Sequence, residues 1–340
     1  MIATVPRSAW IGRRGAVIDS LLCLALVALA ASLRWPQLWN IPVFTDEWDE
    51  IAVSLRIVRD GAWPLTNADA YYGALTSYLM AGFFMLLGVN LEAPRLFALI
   101  MGVLQILPSY LLGMEAGRAA GFQQVGARLV GSITGLLLAF AGAHILLNSH
   151  LAWANSSTPL FTTTALWLML RAASRWQQNR SGRWELIVAG LCLGLALQTH
   201  VMVAVLIVGI GVGALLTVPR LTLGPTGLLA VVALAVGYAN MIAFNILTRG
   251  ETLRIAQSMS AGYSGGKDVS YAEKLGSLLL SLVRVLGGAL DRRDSIWNFL
   301  ADPILIATIG GAIVGVVLLA FRRQSVLLCA LLATGVLLPL

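Results

Sequence analysis

The sequence predicts an all-α polytopic membrane protein, on three observations. Apolar residues make up 58% of its 340 positions, where a soluble domain carries ~45–50%. Mean hydropathy is +0.83, and the excess falls in repeated runs of near-span length. Charged residues are only 11%, against about 25% in soluble domains, and they collect between those runs.

The first run, 16–33, follows Arg7, Arg13 and Arg14. Ala28-Leu29-Ala30 resembles a signal-peptidase site, but the many later runs make a retained first span the better reading. Further spans are expected at 95–113, 127–147, 151–170, 185–199, 201–218, 226–247, 303–321 and 326–340. The complete ones approach the ~17–25 residues that a crossing helix needs. The last is cut short at Leu340, so a truncated chain, or one lacking its C-terminal part, is expected. All of 1–340 reads as a single transmembrane domain, with a front module over 1–218.

Basic residues set the expected orientation. Arg7, Arg13, Arg14, Arg118, Arg128, Arg171, Arg175, Arg180, Arg183, Arg220, Arg322 and Arg323 should face the cytoplasm. The stretch 184–218 joins two basic loops, so it turns near Gln198-Thr199-His200 on the outer side. Asn148-Ser149-His150 is placed outside by the same logic. Two long outer loops follow, at about 35–94 and 248–302. Segment 74–88 is apolar, but a single crossing there would invert every later basic loop. It also carries Tyr71, Tyr72, Thr76, Ser77 and Tyr78 at or near its start. It reads as an interfacial or re-entrant helix, with a helical hairpin as the alternative. In the second loop, Ser264-Gly265-Gly266 marks a turn, and 272–290 is an amphipathic stretch that can lie on the membrane.

The net charge of +7 is nearly all arginine, Lys267 and Lys274 being the only lysines. No basic stripe is interleaved with stacking aromatics, so nucleic acid is not an expected partner; the arginines meet anionic headgroups instead. Cys23, Cys192 and Cys329 all lie in apolar runs and read as small hydrophobes. Gly131-x-x-x-Gly135, Gly190-x-x-x-Gly194 and Gly311-x-x-x-Gly315 offer close helix contacts. Trp35, Trp39, Trp48, Trp63 and Trp153 fall near span boundaries, as belt residues do; sugar stacking by Trp48 or Trp63 stays open. The formal sequon Asn155-Ser156-Ser157 falls inside a predicted span and is discounted.

Chemistry points to one place. Asp46-Glu47-Trp48-Asp49-Glu50 sets four carboxylates in five residues just after the first span. Residues 49–60 then put Ile51, Leu55 and Val58 on one face and Glu50, Ser54 and Arg56 elsewhere, a short surface-lying helix. The dipole and unpaired N–H groups at such a helix start favour a carboxylate, which can orient and deprotonate an acceptor hydroxyl or amide. Helix capping by Thr45 or Asp46 is an equally natural and compatible reading. His144, His150 and His200 are the only histidines, all expected near the outer face; each is a candidate for phosphate or metal, weighed against a plain interfacial hydrogen bond. No metal-ligand spacing is present. Arg95 opens the second span on the outer side, against the positive-inside trend. A phosphate-facing role competes there with snorkelling. Arg249, Arg254, Lys267 and Lys274 are further candidates for a phosphate leaving group.

Four stretches carry a family resemblance. They are Phe44-Thr45-Asp46-Glu47; Gly61-Ala62-Trp63-Pro64; Leu87-Gly88 with Ala93-Pro94-Arg95-Leu96 leading to Gly102; and Ala189-Gly190-Leu191-Cys192-Leu193-Gly194-Leu195-Ala196 ending in Gln198-Thr199-His200. Over roughly 16–218 the chain resembles the GT-C class of integral-membrane glycosyltransferases. The likeness is closest to the branch of protein O-mannosyltransferases and the aminoarabinose transferase of lipid A. The resemblance implies a GT-C-like multi-span helical bundle whose two long outer loops bear interfacial helices. It also implies transfer of a hexose or pentose, with inversion, from a polyprenyl-phosphate donor to a lipid, glycan or protein acceptor. Asp46 matches the first-loop catalytic base, with Glu47 its neighbour. His200 matches a position near the lipid phosphate, and Arg95, His150 and Arg254 are the further donor-phosphate candidates. No cofactor is expected, with divalent-metal dependence left open. The expected setting is a bacterial cell (inner) membrane with the site on its outer face. Relatives often carry an acid where this chain has Asn155-Ser156-Ser157-Thr158, and many have a soluble C-terminal domain beyond this length. The competing readings are a transporter and a non-catalytic glycosyltransferase-like scaffold.

Overall fold

A computed structural model describes residues 7–36, 38–43, 45–263, 270–286, 303–321 and 329. The expected span at 326–340, Arg322, Arg323, the Ser264-Gly265-Gly266 turn and Lys267 lie outside the described residues. Among the described residues every regular element is a helix, and the only bridge is an isolated antiparallel pair, Thr66 with Gly73. In chain order the helices are α1 (Arg7–Arg34), α2 (Thr45–Asp60), α3 (Leu75–Leu87), α4 (Glu92–Leu104), α5 (Ile106–Ala119), α6 (Gln124–Phe140), α7 (Gly142–Ser149) and α8 (Ala154–Gln177). They continue as α9 (Arg183–Thr199), α10 (Val203–Thr217), α11 (Pro219–Thr222), α12 (Pro225–Gly237), α13 (Ala239–Thr248), α14 (Glu251–Tyr263), α15 (Tyr271–Leu286) and α16 (Pro303–Phe321).

Two described helices are long and apolar enough to cross a membrane: Gly15–Arg34, and Glu92–Ala119, in which α4 and α5 run on through Gln105. The number rises to four if each of two bent pairs counts as one span. α6 and α7 meet at 68°, and α12 and α13 at 67°. The expected spans 127–147 and 226–247 are therefore broken helices. α3, at 13 residues, rises only ~20 Å, short of the ~30 Å hydrocarbon core. It lies against α2 and α4 through Met80 and Phe84, which join Ile51, Phe97 and Met101 in one core. Leu55 and Val58 pack on the same core, as the periodicity expects. Glu50 and Ser54, expected on another face, are buried as well, because the start of α8 and Asn67 cover α2 from that side.

The second core joins α8, α9 and α10 through Ala165, Met169, Ala173, Ala189, Leu193 and Ile210. α12 crosses α9 closely. A Cβ added at Gly190 would stand 2.1 Å from the Ala230 carbonyl oxygen, and one at Gly194 2.1 Å from that of Leu234. Only glycine permits backbones to approach so far.

The break between α6 and α7 has an identifiable cause. Ala141 is extended (φ −66°, ψ 104°), which frees the last carbonyls of α6. Arg34, fully buried, reaches over from the end of α1 and donates to the oxygens of Ala139 at 3.1 Å and Leu138 at 3.2 Å. It also donates to Ser149 Oγ at 2.9 Å and to His144 Nδ1 at 3.0 Å. With Nδ1 accepting, the His144 Nε2–H is left to donate to Gln105. His144 is thus part of a buried brace across the break.

The polar residues separate by end. At one end Arg128 pairs with Asp19 at 2.7 Å, Arg118 with Glu115 at 3.1 Å, and Arg175 with Glu185 at 2.7 Å. At the other, α2, the 61–74 segment, the start of α8, the end of α9 and the α13–α14 corner come together.

Candidate functional site

α2 divides its four acids between two faces. Asp46 and Asp49 are exposed, whereas Glu47 and Glu50, three residues apart and so on one helix face, are buried. Both glutamates reach the segment that leads into α8, whose first turn has no side-chain cap of its own. Glu47 accepts from the Ala152 N–H at 2.7 Å, and Glu50 from the Ala154 N–H at 3.1 Å. Two orphan donors at the beginning of α8 are therefore satisfied from another helix.

Glu47 has a full cationic partner. Arg95 Nη1 lies 3.0 Å from Glu47 Oε1, with the two side chains 7% and 1% exposed. Arg95 also donates to the carbonyls of His150 and, at 3.0 Å, Ile41. His150 is 1% exposed, and its ring nitrogens face the carbonyl oxygens of Ile145 at 2.7 Å and Arg34 at 2.9 Å. Glu47, Arg95 and His150 thus form a buried clamp joining the 35–45 turn, α4 and the α7–α8 junction. As placed, they hold the acid helix to the bundle and do not face solvent.

Pro159 adds a second constraint inside α8. Proline has no N–H, so the Asn155 carbonyl one turn back loses its helical donor. The Asn148 side-chain amide replaces it at 3.0 Å. Thr158 Oγ1 meets Thr199 Oγ1 at 2.8 Å, tying α8 to the end of α9.

The 61–74 segment closes over this end. The Tyr72 N–H donates to the Asp69 carbonyl at 3.0 Å and the Asn67 N–H to the Tyr72 carbonyl at 3.1 Å, forming a tight hairpin with Asp69 at its tip. It is pinned from three elements: the Gly73 N–H to the Gln198 carbonyl at 2.7 Å, Asn240 Nδ2 to the Leu65 carbonyl at 2.7 Å, and Thr252 Oγ1 to the Ala70 carbonyl at 3.0 Å. Asp69 is exposed, yet partial desolvation, then Asp49, then Asp46 raise its pKa from the ordinary range, opposed by a hydrogen bond from Tyr71. Tyr71 packs against Tyr72 with the rings tilted and centroids 4.0 Å apart, and Tyr72 packs likewise against His200 at 5.7 Å. His200 is half-buried, accepts the Met202 N–H through Nδ1 at 3.1 Å, and has its pKa lowered by burial.

Side chains therefore run in contact from Asp69 through Tyr71 and Tyr72 to His200, with Asp46 near enough to act on Asp69 through its charge. Arg254 is elsewhere on this end, on α14, largely exposed and paired with Glu251 at 2.7 Å. Among the described residues no group of three or more His, Cys, Asp or Glu is arranged to hold a metal ion. Sequence reasoning missed Asp69 and Asn67 as members of this end, and it placed Glu50 in the acid cluster without its burial. The available signal was Asn67-Ala68-Asp69 interrupting an otherwise apolar and aromatic stretch. Compared with protein-family models, curated proteins and solved structures, the chain finds no match.

Proposed function

We propose that this chain is a multi-pass membrane glycosyltransferase that moves a sugar from a polyprenyl-phosphate donor to an acceptor at the outer face of a bacterial inner membrane. The observation that carries the reading is the split on α2. Asp46 is exposed at the first turn of a helix whose neighbouring Glu47 is locked to Arg95 and the backbone of α8. A base for direct transfer needs a carboxylate held by a rigid element yet open to an acceptor, and inversion needs only one such group. In this proposal Asp46 takes the acceptor proton as the acceptor oxygen or nitrogen bonds to the sugar, and the lipid phosphate leaves on the opposite side with the glycosidic electrons. Glu47 and Arg95 act as positioning residues. His200 and the cations of the α13–α14 corner, Arg249 and Arg254, are the candidates to offset the phosphate charge. The separation of basic and acidic ends fits an orientation with the acid end outside.

A specific observation favours a second reading. Two broken helices among the described spans are a feature of transporters, in which half-helix ends line a site at the midplane. Here the α6–α7 break is filled by Arg34, and the carbonyl of Gly237 at the other is taken by Gln198 Nε2 at 2.5 Å. Those ends are occupied by the protein itself, and sugar transfer is preferred. Mass spectrometry of lipids from cells lacking this protein tests the choice. Accumulation of a polyprenyl-phosphate sugar is expected; an unchanged lipid pool, with loss of a solute flux, would reverse it.

A further inference from the structure

Glu47 and Glu50 are equally withdrawn from water, but their surroundings differ in kind. Glu47 meets a guanidinium. Glu50 is 4% exposed, and no basic side chain contacts it among the described residues. Its Oε1 accepts two N–H donors, Asn67 Nδ2 and the Ala154 amide at 3.1 Å. Its Oε2 has a single partner, Ser77 Oγ at 3.3 Å, on α3. A hydroxyl can turn and accept as readily as it donates. Oε1 is thus built as an acceptor, and Oε2 lies beside a hydroxyl that donates to a carboxylate and can turn to accept a hydrogen bond from a carboxylic acid. Its three partners suit a carboxylate, and what favours the neutral acid is burial with no cation in contact among the described residues.

The charges around it agree. On α2, Glu47 is neutralised by Arg95 of α4, and Asp46 and Asp49 point to the exposed face. From the hairpin, Asp69 acts on Glu50 across the site and disfavours its ionisation. α3 offers Ser77, while its Tyr78 is turned to the Pro64 carbonyl at 3.0 Å. α8 offers the Ala154 amide. Burial, the largest influence, outweighs the three hydrogen bonds and pushes the Glu50 pKa up to about 7.

We propose that Glu50 is a proton-operated latch for the 61–74 hairpin: with a proton on Oε2 shared with Ser77 it seals α2, α3, α8 and Asn67 together, and when that proton is lost to water the hairpin loosens. The sign follows from linkage. A carboxyl exposed by lifting the hairpin returns to its ordinary value near ~4.3, so the docked state binds the proton more tightly than the lifted one. Low pH therefore favours docking, and docking weakens as pH rises through about 7. Because Asp69, Tyr71 and Tyr72 ride on this hairpin, the latch would also regulate the site proposed above, but its existence does not depend on sugar transfer.

Amide hydrogen exchange on the full chain in lipid nanodiscs, corrected for intrinsic exchange, tests this without any substrate. Protection across 61–74 in the wild type is expected to fall about tenfold between pH ~6 and ~8.5, as linkage to one carboxyl at about 7 when docked and ~4.3 when lifted requires. Glu50→Gln keeps the acceptor at Oε1 and places an amide N–H against Ser77, so its hairpin should stay protected at both pH values. Asp69→Asn should keep the transition, assigning it to Glu50. Wild-type protection that does not change with pH, or a Glu50→Gln hairpin that is loose throughout, would overturn the latch. The second result would mean that the charged form is the one that holds.

Discussion

Arg95 and Glu47 are both out of water, and each is tolerable only because of the other. Burying a carboxylate without its cation costs far more than the pair contributes. Arg95→Met should accordingly destabilise the protein by ~3–5 kcal/mol, the usual cost of leaving one member of a buried pair alone. Adding Glu47→Gln should recover much of that, since glutamine can still accept the Ala152 N–H. Thermal melting of the two single variants and the double in detergent measures it, and simple additivity would contradict the pairing. The sequence could bring Asp46 and Glu47 to attention but could not divide them. Adjacent residues on a helix differ by about 100° in direction, and which faces inward depends on Ala152 and Arg95, far away in the chain. Arg95 shows the same limit. An outer arginine at a span start reads naturally as a phosphate ligand, and only the fold reveals three protein oxygens around it.

At the scale of elements, α8 carries a proline that the helix tolerates because Asn148 supplies the missing donor to Asn155. Asn148→Ala should cost ~1 kcal/mol by leaving a partly buried carbonyl unpaired. In a Pro159→Ala background, where an N–H returns, that cost should shrink to a fraction. A double-mutant cycle by denaturation reads the coupling directly; equal costs in both backgrounds would sink the explanation. The α9–α12 crossing gives a second prediction. Gly194→Leu must push α12 away from α9, so the monodisperse yield and melting temperature should both fall well below those of a leucine at Gly211, where nothing stands within 4 Å of a Cβ. The short α3 and the glycine crossing were legible because run length and small-residue spacing are local signals. The buried face of α2 was legible only on its apolar side, since Glu50 and Ser54 are covered by partners distant in sequence. The breaks at Ala141 and Tyr238 were not. Hydropathy averages over a window and passes through a bend without change, and the bend itself is stabilised by Arg34 and Gln198 from elsewhere in the sequence.

For the whole molecule, the organising feature is the separation of its ends. One gathers Asp19, Glu115 and Glu185 under an excess of arginine; the other gathers α2, the 61–74 hairpin and His200. If the positive-inside trend governs insertion, a cysteine replacing the exposed Trp63 should react with a membrane-impermeant maleimide in intact cells. One replacing Ser181 should react only after permeabilisation. Labelling of both from the same side would refute the orientation on which the functional proposal depends. The all-α class was legible because long apolar runs satisfy their own backbone hydrogen bonds most simply as helices. The acid end was half legible. Asp46 and His200 stood out by charge and position, whereas Asp69, Tyr71 and Tyr72 connect them only through a hairpin whose pins come from α9, α13 and α14.

The most direct test is turnover of a polyprenyl-phosphate-linked sugar by the purified protein in liposomes, comparing wild type with Asp46→Asn. The exposed Asp46 takes no part in the buried clamp, so the variant should melt with the wild type. It should release polyprenyl phosphate at least ~10²-fold more slowly, the usual contribution of a positioned general base. A folded Asp46→Asn protein that releases it at the wild-type rate would contradict the account.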